Sequence, residues 1–74
     1  MRQIIECVPN FSEGRNMEVI DSIADSIEEA GGVKVLNVDP GAATNRTVIT
    51  FAGSPAEVME AAFQAVKKAG ELID

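Results

Sequence analysis

Two short polar stretches hold most of the groups that could do chemistry. Residues 10–15 (Asn-Phe-Ser-Glu-Gly-Arg) offer an amide, a hydroxyl, a carboxylate and a guanidinium within six positions. Residues 39–46 (Asp-Pro-Gly-Ala-Ala-Thr-Asn-Arg) repeat the amide, the carboxylate and the guanidinium. These groups are the basis of a functional reading of the two stretches. A plainer reading stands beside it, because Asn, Asp, Ser and Gly are turn formers. For residues 9–15 composition alone favours the turn, with Phe11 as a hydrophobic plug. Residues 39–46 read as an eight-residue connection where a hairpin needs about two to five. Extra length there weighs toward function, and the two readings balance.

Other residues are less promising. Cys7 lies between apolar neighbours with no base or cation beside it, which is the setting of a small buried hydrophobe. Glu6 and Glu13 fall on different elements and make a weak carboxylate pair. With one cysteine and no histidine, the chain holds no disulfide framework, metal finger or Cys–His pair. Twelve acids against six bases, a net charge of −6, argue against a nucleic-acid partner. Most of the acids, such as Asp21, Asp25, Glu28 and Glu29, read as solvated helix surface. No apolar run is long enough to span a bilayer, and a lone cysteine without a signal peptide points to the cytoplasm.

Local patterns supply the elements that must position these groups. Residues 3–8 alternate as a strand that Pro9-Asn10 stops. Asn16 caps a helix whose stripe is Ile20, Ile23, Ala24 and Ile27, and Gly31-Gly32 ends it. Residues 33–38 and 47–51 are β-rich strands. Ser54-Pro55-Ala56-Glu57 is a capping box opening a second helix. Val58, Ala62, Ala65, Ala69 and Leu72 form its apolar face, with Met59, Phe63, Val66 and Ile73 widening it into the core.

The order β-α-β-β-α spans residues 1–74 as one α+β domain. It matches a ferredoxin-like split β-α-β fold with the fourth strand missing. An antiparallel sheet ordered 1-3-2, with both helices on one face, is the expected arrangement. This topology puts both polar stretches at one edge of the sheet, beside the start of the first helix. Asp74 is expected at that edge too.

Residues 5–16 (Ile-Glu-Cys-Val-Pro-Asn-Phe-Ser-Glu-Gly-Arg-Asn) resemble the opening of glutamate formiminotransferases, including the bifunctional formiminotransferase–cyclodeaminases. Asp39 with Gly41, then Asn45-Arg46-Thr47-Val48 before Thr50-Phe51 and Gly53, carries the resemblance through the middle. The ending Glu71-Leu72-Ile73-Asp74 extends it across the chain. It implies a transferase of histidine breakdown that moves a formimino group from N-formiminoglutamate to tetrahydrofolate as co-substrate. It also implies two ferredoxin-like subdomains around the folate site, a homodimer, and a histidine base just beyond these residues. By that resemblance Asn10, Asp39, Asn45 and Arg46 bind substrate. None of the residues present is assigned as catalytic or as a metal ligand.

Activity therefore needs the remainder of the parent enzyme, and the 74 residues by themselves are expected to be inactive. A second reading is a stand-alone ferredoxin-like interaction module without catalysis. A third is a small regulatory domain of the amino-acid-sensing kind. A histidine-containing continuation of the gene favours the first reading. Self-association through the open edge of the first strand is also expected.

Overall fold

The computed structural model of the chain describes residues 3–73. In chain order the elements are β1 (Ile5–Cys7), β2 (Asn10–Phe11), α1 (Met17–Glu29), β3 (Val33–Gly41), β4 (Arg46–Gly53) and α2 (Pro55–Leu72). β4 is the centre of an antiparallel sheet, with β1 and β2 along one side and β3 along the other. That is the expected 1-3-2 order, with the first strand in two pieces. Asp74 lies outside the described residues.

The first strand does not stop at Pro9-Asn10. β1 and β2 meet β4 in one unbroken register, Ile5 facing Gly53 and Asn10 facing Val48. Between them the Ile49 N–H donates to the Pro9 carbonyl at 3.2 Å. Proline has no N–H to return, so the ladder thins there without shifting. Asn10 is thus a strand residue, not a loop residue.

The second polar stretch is corrected in the same direction. β3 continues through Asp39 and Pro40 to Gly41, paired throughout with β4. Only residues 42–45 form the connection. Pro40 is tolerated because β3 is an edge strand. The long loop that weighed toward function is an ordinary hairpin.

Asn16 caps α1 as expected, its Oδ1 accepting from the Glu18 and Val19 amides at 3.1 and 3.4 Å. Gly31 and Gly32 take positive φ (84° and 74°) and turn the chain out of the helix. At α2, the Ser54 hydroxyl accepts from the Glu57 amide at 3.4 Å and donates to its carboxylate at 2.5 Å. The helices pack on each other and on one sheet face. Ile23 and Ile27 of α1, Val58, Ala61 and Ala65 of α2, and Ile49 and Phe51 of β4 form the core, which Phe11 joins at 7% exposure.

The outer part of the second helix departs from expectation. Met59, Phe63 and Val66 are 73%, 62% and 66% exposed. The small side chains of Ala61 and Ala65 occupy the contact surface instead. They let α2 approach closely, which leaves the bulkier residues on a second, outward stripe.

Candidate functional site

Alternation along β4 sorts the sheet into two faces. Thr47, Ile49 and Phe51 are buried under the helices, whereas Arg46, Val48, Thr50 and Ala52 point to the other face. Residues paired across the ladder share a face. Asn10 and Asp39 both pair with Val48, one from each side. They therefore flank Val48 in one row on the face away from the helices, roughly 10 Å apart at two inter-strand spacings. Arg46 lies on the same face, two residues along β4. The side chains of Asn10, Asp39 and Arg46 have no hydrogen-bond or ion-pair partner among the described residues.

Asp39 reaches this row only because β3 carries a bulge. The register shifts by one residue between Val35 and Asn37, with Leu36 as the extra residue. Val33 and Val35 pack toward the helices before the bulge, and Val38 does so after it. Uninterrupted pairing would set Asp39 opposite Thr47, on the buried face. The spacing of the three valines is the sequence signal of this slip.

The open face also balances charge. Glu6 and Lys34 flank Ala52 as Asn10 and Asp39 flank Val48. Its charged residues among those described are thus Glu6, Lys34, Asp39 and Arg46. The exposed acids Glu18, Asp21, Asp25, Glu28 and Glu29 all lie on α1, across the sheet. The acidic excess is therefore kept away from this row.

The two polar stretches meet as topology required. Gly14 N–H donates to Asn45 Oδ1 at 3.0 Å, and Arg15 Nε donates to the Ala42 carbonyl at 2.9 Å. The buried Thr47 hydroxyl donates to the Glu13 carbonyl. The Glu13 carboxylate accepts from the amides of Arg15 and Asn16, at 3.1 and 3.2 Å. Gly14 is wedged so tightly that a Cβ would stand 2.5 Å from Arg46 N, and would also strike the Gly41 carbonyl. Asn45 has φ 54°, a conformation Asn accepts better than most residues. Asn45 is thus set apart from the other three candidates, since its side chain is already engaged within the chain. The roles of Gly14, Glu13 and Thr47 in this junction are not legible in the sequence, because they depend on contacts more than thirty residues away.

Such a face can bind and orient a polar ligand. It offers a cation, a carboxylate and an amide, and no imidazole to relay a proton. Among the described residues no cluster of candidate metal ligands occurs, and no helix is long and apolar enough to cross a membrane.

Comparison with known proteins decides the family. The pattern of the formiminotransferase domain, N-terminal subdomain, matches residues 4–74. The chain belongs to the formiminotransferase family. It is 54% identical over 74 residues to the formimidoyltransferase-cyclodeaminase of Rattus norvegicus, covering 100% of this chain and 14% of that protein. It is 46% identical over 74 residues to the glutamate formimidoyltransferase of Streptococcus pyogenes serotype M1, covering 100% of this chain and 25% of that protein. For the glutamate formimidoyltransferase of Thermoplasma acidophilum the identity is 44% over 71 residues, with 96% of this chain and 23% of that protein covered. The chain thus spans between about a seventh and a quarter of the length of these relatives.

Proposed function

We propose that the chain is the N-terminal part of a transferase that moves the formimino group of N-formimino-L-glutamate to tetrahydrofolate in histidine breakdown. The observation that carries this reading is the row of Asn10 and Asp39 about Val48, with Arg46 beside it, on the open sheet face of a formiminotransferase chain. Arg46 receives a carboxylate of glutamate or folate in a two-pronged contact. Asp39 holds the cationic formimino nitrogen, and Asn10 completes the row with donor and acceptor. In the reaction a folate nitrogen bonds to the formimino carbon and the bond from that carbon to the glutamate nitrogen breaks. One proton must pass from the attacking nitrogen to the leaving amine, and a group outside these 74 residues relays it.

The test is a transfer assay with tetrahydrofolate and N-formiminoglutamate. The 74 residues alone are expected to give no product above background, since a missing general base typically costs about 10²–10⁴-fold. Adding the remaining part of a formiminotransferase in trans is expected to restore transfer, and Asp39→Ala or Arg46→Ala to reduce it again. Unaided turnover would overturn the assignment of the proton relay. Restored transfer indifferent to both substitutions would overturn the row.

Self-association belongs to the same reading, in a cytoplasmic setting that fits the lone Cys7. The edge of β1 and β2 is unpaired among the described residues, exposes Ile4 and Ile5, and runs beside a helix with its own exposed stripe. Sedimentation at micromolar concentration is expected to show dimers or larger species, and a clean monomer counts against this part.

A further inference from the structure

We infer that Asn45 is a positioning residue for Arg46, acting through the backbone of Gly14 and touching no substrate. This rests on the proposed binding row and refines it. Three observations carry it. The Asn45 side-chain oxygen is taken by the Gly14 amide at 3.0 Å, which turns that carbonyl toward residues 12–16. Its φ of 54° lets the hairpin close in four residues, and Arg46 follows directly as the first residue of β4. Gly14, the partner, is seated against the backbone N and O of Arg46, so whatever holds Gly14 also sets the peptide that aims Arg46. Thr47 to Glu13 and Arg15 to Ala42 complete the clamp on either side of this contact. Asn10 and Arg46 approach the row from the two segments that the clamp joins.

Two substitutions separate positioning from contact. Asn45→Asp keeps an acceptor oxygen and tolerance of the left-handed conformation, loses the amide donors and adds one negative charge, which high salt screens. Asn45→Gly keeps the backbone freely and loses the acceptor. The experiment is amide hydrogen exchange and chemical-shift mapping on the labelled chain, followed by titration with tetrahydrofolate.

Asn45→Gly is expected to speed Gly14 exchange by about five- to tenfold, the worth of one hydrogen bond, and to displace the Asn10 and Arg46 amide signals. It should weaken tetrahydrofolate binding by a similar factor. Asn45→Asp is expected to restore all three readings. Unchanged Gly14 exchange in Asn45→Gly would overturn the inference. So would an Asn45→Asp chain that keeps Gly14 protected yet binds more weakly even in high salt, where the added charge is screened, because the lost donors would then have touched the ligand. If the native chain gives no response to tetrahydrofolate, the proposed function fails at this site. The Gly14, Asn10 and Arg46 signals then decide the positioning role by themselves, through loss in Asn45→Gly and return in Asn45→Asp.

Discussion

The two strands that flank β4 deliver a polar residue to the same row by different routes. The N-terminal strand holds one register from Ile5 to Phe11, even past a proline. Asn10 and Phe11 fall on opposite faces there by parity alone. β3 breaks its register at Leu36, and Asp39 reaches the open face only after that slip. One side of the site is thus placed by regular pairing and the other by an irregularity. Strand parity is a strong constraint wherever one face is buried, so a bulge is the device that moves a side chain between faces without moving the strand.

Deleting a residue from each strand should separate the two routes. Removing Val8 forces a choice: either Phe11 turns out of the core, or Glu6 turns in where Cys7 packs. Losing a buried Phe costs about 3–5 kcal/mol, comparable to what one core of this size supplies. Loss of a cooperative urea transition is the expected result, and an unchanged midpoint would break the comparison.

The junction between the two sides should respond less. Gly14→Ala puts a methyl group against Gly41 and Arg46 backbone atoms that cannot give way. An overpacking cost on the order of 1–3 kcal/mol is expected in the same measurement. A variant as stable as the parent would mean that residues 12–16 do not lock onto the hairpin.

The smallest effect is expected from the bulge itself. Val35 already pairs with Phe51 and Asn37 with Thr50, on adjacent positions of β4. Deleting Leu36 therefore leaves every pair in place and regular alternation across the join. The cooperative transition should persist, with Asp39 still opposite Val48 in a nuclear Overhauser spectrum. Collapse of the fold would show that the bulge's extra twist, not only its count of residues, is needed.

Elements with strong local chemistry were legible from the residues alone. The Asn16 cap, the isoleucine stripe of α1, the Gly31-Gly32 stop and the Ser54 capping box all form as read. Strand ends were not, because a proline removes one ladder donor without necessarily ending the strand. Pro9 still accepts a ladder hydrogen bond, and Pro40 sits on an edge strand. The outward turn of Met59, Phe63 and Val66 was hidden for a different reason. An apolar arc wide enough to cover two faces of a helix does not say which face the sheet will take.

The sequence by itself determined the element order, the pairing of the second and third strands, and the meeting of the two polar stretches at one edge. These follow from local periodicity and from rules of chain connection that need no partner atoms. The family likewise resides in short motifs that are complete within the chain. Only the tertiary structure decided that Asn10, Asp39 and Arg46 share one face while Asn45 turns inward to Gly14. A residue's face depends on its register against another strand. That register depends on contacts between separate segments of the chain, such as the pairing of Asn10 and Asp39 with Val48 and the hydrogen bonds from Thr47 to the Glu13 carbonyl and from Gly14 to Asn45.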